Sequence, residues 1–221
     1  MRGVVLLLAA GEGSRFGTSV PKSFVELAGL PLLRWAADGA ASAELVSAIV
    51  VATSAGCEER ALSVLEGLSK PVHVVAGGPT RQASASAACG ASPETDAFAV
   101  HDAARALCPP ALFDAALSAL DLWDAVCPVV PVSDTIKEVA ADRVVATLER
   151  DKLAFVQTPQ AFRADVYRRA HAEAAASGFV GTDDAALVER IGIEVHVIGG
   201  DVRNLKVTTA HDLDVAATLL G

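Results

Sequence analysis

Aromatic side chains make up only 5% of this sequence. That is too few for the stacked platforms that hold single-stranded nucleic acid. Positive charge is also scarce. Lys+Arg total 18 against 27 Asp+Glu, a formal net charge of −9, which argues against a duplex-binding protein whose affinity rests on neutralising phosphates. A local basic pocket for a small phosphorylated ligand is still compatible with that balance. The cysteines Cys57, Cys89, Cys108 and Cys127 form no C-x-x-C pair, so no zinc or redox motif is present. They read as reduced, mostly buried thiols of a cytoplasmic protein. No apolar stretch approaches the ~20 residues of a membrane span. The N-terminal run from Val4 to Ala10 sits at the short limit of a signal-peptide core and passes straight into Gly11-Glu12-Gly13-Ser14-Arg15, so it reads as a strand and not as a leader. Repeats, linkers and low-complexity tails are missing as well.

What is present is a 221-residue chain that is 52% hydrophobic, enough for one domain with a sizeable core. Alanine is abundant, which favours helices. Apolar runs at 4–8, 47–51, 72–75, 98–100 and 125–130 read as strands buried on both faces. Between them, 31–41, 58–68, 80–89 and 110–120 read as helices, with Pro31 and Pro110 placed in the first turn. Alternating strand and helix predicts an α/β fold: a Rossmann-like, mostly parallel sheet with helices on both faces. Residues 132–139 and 143–148 flank Ala140-Ala141-Asp142 and predict a hairpin that projects from the domain. We expect an arm at about 133–160. Helices are predicted at 164–177, 183–191 and 210–220, and strands at 194–198 and 205–207. The chain ends directly after the last helix, so a single catalytic domain is expected.

The first strand runs into Ala9-Ala10-Gly11-Glu12-Gly13-Ser14-Arg15-Phe16-Gly17, then Val20-Pro21-Lys22-Ser23. Small residues after a strand let backbone N–H groups approach and cradle phosphates. Arg15 and Lys22 add two cations suited to the charge of phosphoryl or nucleotidyl transfer. This is not a dinucleotide fingerprint, because Phe16 stands where its third glycine belongs. Nor is it a Walker A loop, because Pro21 precedes Lys22-Ser23. LAAGEGSRF…PK resembles the opening signature of nucleotidyltransferases that join a nucleoside triphosphate to a phosphorylated sugar or alcohol.

Later segments add detail. Gly77-Gly78-Pro79-Thr80-Arg81-Gln82-Ala83-Ser84 follows the third strand and can offer backbone groups and Ser84 to a base edge. His101-Asp102-Ala103-Ala104-Arg105 follows the fourth strand, at the sheet edge where open α/β sheets bind ligands. Asp102 can hold a metal or a hydroxyl, and Arg105 can grip a phosphate. Asp134-Thr135-Ile136-Lys137 opens the hairpin, and Arg150 with Thr158-Pro159-Gln160-Ala161-Phe162 closes it. Gly181-Thr182-Asp183-Asp184-Ala185 begins a helix, with Thr182 or Asp183 as its N-cap. Asn204-Leu205-Lys206-Val207-Thr208 places a lysine in an extended segment.

Taken together, and in this order, these motifs closely resemble those of the 2-C-methyl-D-erythritol 4-phosphate cytidylyltransferases of the non-mevalonate isoprenoid pathway. The resemblance runs over nearly the whole chain. It implies that the backbone of Ala9, Ala10, Gly11 and Gly13, with Gly78, Arg81, Ser84 and Asp102, binds CTP. It implies catalytic roles for Arg15, Lys22 and Lys206 at the α-phosphate. Arg105, Thr135, Arg150, Thr158 and Thr182 would bind the acceptor, with Arg150 and Thr158 entering from the partner of a homodimer joined by the arm. Mg²⁺ or another divalent cation would travel mainly with the triphosphate, with Asp102 as a candidate ligand. Neither nucleic acid nor membrane is implied as a partner. The chain departs from the family at Ala106, where proline is usual, and at Pro79, where an acidic residue is usual. Proline has no N–H to give, so a base contact there must use its carbonyl. A ribitol 5-phosphate cytidylyltransferase and a non-catalytic nucleotide-binding regulator share much of the pattern and stay open as alternatives.

Overall fold

The computed structural model describes residues 1–11 and 20–220. Its centre is β1 (Gly3–Ala9), buried at every position. Successive side chains of a strand point to opposite faces, and here they divide two cores. Val5, Leu7 and Ala9 join one apolar cluster, and Val4, Leu6 and Leu8 join the other. β4 (Val46–Thr53) and β6 (Ala97–Asp102) flank β1 in parallel. β5 (Val72–Ala76) lies outside β4, again parallel.

Helices cover both faces. α1 (Leu32–Ala41) and α4 (Pro110–Ala119) lay Leu33, Ala36, Ala40, Phe113 and Leu117 on the first core. α3 (Arg81–Gly90), α5 (Ala164–Ser177) and α6 (Asp184–Arg190) lay Ala85, Ala88, Val166, Tyr167, Leu187 and Val188 on the second. α2 (Glu58–Val64) adds Ala61 to the first core. The abundant alanines are thus the contact residues that let helices lie close on the sheet.

The eight-stranded sheet is completed by β7 (Ala125–Pro131), β10 (Ala154–Val156), β11 (Gln160–Arg163) and β12 (His196–Gly199). β11 runs antiparallel between β6 and β7, β10 pairs antiparallel with the far end of β7, and β12 pairs parallel with β7. Neither β10 nor β11 is expected from the sequence, because three or four residues around Gln157 and Pro159 carry no readable period. Two further expectations are corrected. Residues 205–207 form no strand, because Val207 N–H bonds a loop carbonyl, that of Ala104, at 2.8 Å. Pro31 lies in β3 (Leu30–Pro31), which pairs with β2 (Glu26–Leu27) around Ala28 and Gly29, both at positive φ. Pro110 does open its helix.

The hairpin forms around a two-residue turn, with β8 (Lys137–Ala140) paired to β9 (Arg143–Thr147). These strands pair only with each other and expose Val139, Val144 and Val145. The projection is shorter than the expected 133–160, because the chain rejoins the main sheet at β10.

The last helix, α7 (Ala210–Leu220), starts at a reciprocal cap. Asp212 N–H donates to Thr209 Oγ1 at 3.2 Å, and Thr209 N–H donates back to Asp212 Oδ2 at 2.8 Å. The Thr208 hydroxyl also donates to that oxygen at 2.6 Å, and this bond leads in holding the Asp212 carboxyl down to about 2. A depressed folded pKa stabilises above the unfolded value of ~3.9. That contribution is lost as pH falls towards 2. Thr209→Ala is expected to cost ~1 kcal/mol in urea unfolding at neutral pH. The stability gap between wild type and Asp212→Ala should narrow as pH falls below about 4, and a gap that stays constant would contradict the cap.

Candidate active site

The chain leaves β1 towards β4 and β5 on one side, then returns to β6 on the other. Such a reversal opens a crevice at the carboxyl ends of the two diverging strands. A cleft of about 450 Å³ lies there. Ala9, Ala10 and Gly11 line it from the end of β1, Lys22 from the turn that follows, and Asp102, Ala103 and Ala104 from the end of β6. Gly78 lines it from the turn before α3, Arg81 and Ser84 from the start of α3, and Lys206 from the segment before α7. A side chain at Gly77 would meet Ala10 at 2.5 Å, and one at Gly78 would meet Ala83 at 2.5 Å. Gly77 therefore lets the turn lie against Ala10, just past β1, and Gly78 lets it fold onto the first turn of α3. Ser84 is buried, and its hydroxyl bridges the Gly78 N–H and the Thr80 carbonyl. It shapes the loop that faces the cleft, while Thr80 caps α3 through Ala83 N–H.

A smaller recess of about 120 Å³ adjoins the cleft, and Arg81, Asp102 and Lys206 line both. Arg105, Thr158 and Thr182 line the smaller one. The shared wall is an ion-paired unit. Arg81 Nε meets Asp102 Oδ1 at 3.0 Å, and Lys206 Nζ meets Oδ2 at 2.6 Å. Burial pushes the Asp102 carboxyl up, but the Arg81 and Lys206 charges outweigh this and hold it far below the usual carboxylate range. Arg81 Nη1 also reaches Asp184 Oδ2 at 2.5 Å, where Asp184 is 1% exposed and accepts the Tyr167 hydroxyl at 2.7 Å. Burial opposes the charge on Arg81, yet the two carboxylates raise its pKa further.

Arg105 spends two N–H groups on carbonyls, that of Asn204 at 2.7 Å and that of Val156 at 3.1 Å. Carbonyls do not cancel its charge, so an anion in the recess meets a cation already in place. Buried amides hold the surrounding loops. Asn204 Nδ2 donates to the Thr158 carbonyl at 2.8 Å, and Gln157 clasps Asp201 through both amide atoms. Gln160 donates to the Asp183 carboxylate at 2.7 Å and accepts Ala185 N–H at 3.1 Å, fixing the start of α6. Asp183, not Thr182, is the N-cap, which leaves Thr182 to the recess.

Most of the residues singled out from the sequence converge here. Gly13 and Arg15 lie outside the described residues. Thr135 and Arg150 line neither cavity, and Arg150 bonds the Ser133 carbonyl at 3.0 Å at the base of the hairpin. Thr158 needs a correction. The expectation places it in a partner's recess, but it is buried in its own chain between Asp102 N–H at 3.1 Å and His101 Nδ1 at 2.9 Å. The residues missed are Gln157, Gln160, Tyr167, Asp184 and Asn204, which stand within or near the noted motifs but act through bonds that cross the chain. Among the described residues, Asp102 is the acidic residue that lines the larger cleft. Among the described residues, no group of three or more His, Cys, Asp or Glu could hold a metal. A Mg²⁺ ion that keeps most of its shell on ligand phosphates and water needs only one or two carboxylates, and Asp102 fits that lesser part.

Comparison with known proteins gives a consistent answer. The family model described as IspD, 2-C-methyl-D-erythritol 4-phosphate cytidylyltransferase, matches residues 4–221. The chain is 45% identical over 219 residues to a 2-C-methyl-D-erythritol 4-phosphate cytidylyltransferase of Nocardia farcinica, covering 98% of this chain and 93% of that protein. It superposes on the crystal structure of that enzyme from Thermus thermophilus with a TM-score of 0.84 at 31% identity, over 99% and 98% of the two chains. A 4-diphosphocytidyl-2C-methyl-D-erythritol synthase from Anaerococcus prevotii gives a TM-score of 0.87 at 27% identity, over 99% and 98%.

The Arg81 unit yields a stability test. Arg81→Ala should leave the buried Asp184 carboxylate without its arginine, with only the Tyr167 hydroxyl at 2.7 Å and His171 Nε2 at 3.6 Å beside it, and cost about 3 kcal/mol in urea unfolding. A loss below ~1 kcal/mol, the worth of a surface pair, would contradict the role.

Proposed function

The chain belongs to the 2-C-methyl-D-erythritol 4-phosphate cytidylyltransferase family, and from that premise we propose that it transfers CMP from CTP to 2-C-methyl-D-erythritol 4-phosphate, releasing pyrophosphate. The observation that carries this reading is the pair of adjoining cavities with one ion-paired wall. The larger collects the residues suited to a nucleoside triphosphate. The smaller collects Arg105, Thr158 and Thr182, suited to a phosphorylated polyol. Placing the two ligands on either side of Asp102 and Lys206 turns a bimolecular attack into an aligned one.

The acceptor's phosphate oxygen attacks the α-phosphorus of CTP in line, and pyrophosphate leaves with the electron pair of the broken P–O bond. A phosphate monoester has its second pKa near 6, so the nucleophile is largely ionised at neutral pH and needs no strong general base. Lys22 and Lys206 supply positive charge where negative charge builds, and Arg15 takes the same task by its place in the motif. Mg²⁺ would enter with the triphosphate, with Asp102 as its carboxylate from this chain, and would neutralise phosphate charge. Asp102 also faces the ribose and the acceptor hydroxyls.

The hairpin supports a homodimer. It exposes Val139, Val144 and Val145 outside the domain, and Thr135 and Arg150 line neither cavity of their own chain. In a dimer they would complete the acceptor recess of a second copy. Among the described residues no helix is long and apolar enough to cross a membrane, and the reaction of small water-soluble phosphates suits a cytoplasmic enzyme.

Three measurements test this reading. Pyrophosphate release with Mg²⁺ and CTP should require 2-C-methyl-D-erythritol 4-phosphate. Ribitol 5-phosphate, or UTP or ATP in place of CTP, should give little. Lys22→Ala should keep the fold and lose ~10²–10³ in kcat, so near-wild-type turnover in that variant would sink the mechanism. Sedimentation at low micromolar concentration should show a dimer, and a clean monomer with full activity would remove the role given to Arg150.

A further inference from the structure

Beneath the smaller recess lies a residue that lines neither cavity. His101 is the penultimate residue of β6, 0% exposed, with its ring edge-on to Phe113 at 4.9 Å. Its two nitrogens have different partners. Nε2 stands 3.2 Å from the Arg105 carbonyl oxygen. A carbonyl only accepts, so Nε2 carries the hydrogen. Nδ1 stands 2.9 Å from Thr158 Oγ1. In a neutral ring with its hydrogen on Nε2, Nδ1 is a lone pair, and the Thr158 hydroxyl must donate to it. Both nitrogens meet neutral oxygens, and a fully buried ring with no carboxylate in hydrogen-bond contact is held uncharged, because burial disfavours the charged form.

This sets the polarity of Thr158. Its hydrogen goes to His101, and one of its lone pairs takes Asp102 N–H at 3.1 Å. What Thr158 has left for the recess it lines is its second lone pair. A phosphate oxygen cannot bond to a lone pair, but a polyol hydroxyl can.

We infer that His101 is a positioning residue that fixes Thr158 as a hydrogen-bond acceptor for a hydroxyl of the polyol substrate. The same ring holds the Arg105 carbonyl, so one buried side chain orients two walls of the recess. This inference rests on the reading that the smaller recess takes the polyol phosphate.

Two isosteric variants separate the two nitrogens. In His101→Asn the amide oxygen stands at the Nδ1 position and can still accept from Thr158. In His101→Gln the amide nitrogen reaches the Nε2 position and can still donate to Arg105, but nothing accepts from Thr158. His101→Gln should raise the KM for 2-C-methyl-D-erythritol 4-phosphate about tenfold, the scale of one lost hydrogen bond, with the KM for CTP within about twofold. His101→Asn should retain most of the acceptor affinity. A purely structural role would move both KM values together, or move neither while lowering the melting temperature of both variants alike. Either result would overturn the inference. Nitrogen NMR of the wild-type imidazole gives a readout independent of turnover. A bare Nδ1 and a protonated Nε2 between pH 6 and 8 is expected, and an Nδ1–H tautomer or an imidazolium would overturn the inference. Wild type that releases no pyrophosphate with this pair of substrates would strike the functional reading and leave the tautomer result to stand alone.

Discussion

Asp102 sits at the end of β6 with one oxygen on Arg81 and the other on Lys206. A buried carboxylate is costly unless it is paired and hydrogen-bonded, and here the two cations come from distant parts of the sequence. Arg81 opens α3, and Lys206 precedes α7. The pairing therefore closes the domain around the crevice. It also places positive charge on both sides of the position where two anionic ligands would meet. The same interaction serves stability and chemistry, because a carboxylate held ionised keeps its cations fixed in direction before any ligand arrives.

Everything around this unit limits its movement. Asp184 and Tyr167 anchor Arg81 from the second core. Asn204, Gln157 and the Ala104 carbonyl anchor the segment that carries Lys206, and Leu205, Val207 and Leu213 tie it to the apolar cluster around Leu27 and Leu32. The Gly77-Gly78 turn lets α3 approach the end of β1 closely enough for Arg81 to reach Asp102. His101 and Thr158 tie the end of β6 to the junction of β10 and β11. The cavities are spaces left between rigid elements, which is the preorganisation that a positioning mechanism needs.

The parts of this arrangement that are legible in the sequence are those with a local signal. β1, β4, β6 and β7 are apolar runs, and a strand buried on both faces leaves no other pattern. α5 and α7 have the expected bounds because a capping Gly178 and the Thr209 box mark their ends. The larger cavity is readable for the same reason, since glycines and cations follow strand ends. The smaller recess is readable only through the resemblance. Its polar scaffold is long-range: Arg81 and Asp184 are 103 residues apart, and Thr158 and His101 are 57 apart. No periodicity encodes such pairs. An arm drawn as far as residue 160 carries Thr158 into a partner, and β10 shows where the chain in fact returns to the sheet.

In the proposed function the two cavities divide the labour across the Asp102 wall, and that division is tested most directly by the pair of Michaelis constants of Arg105→Gln, a variant in the smaller cavity alone. The KM for the polyol phosphate should rise by at least about tenfold, the scale of a lost charge-assisted bond, while the KM for CTP stays within about twofold. Equal increases in both constants would show that one undivided site binds both ligands and would contradict the division.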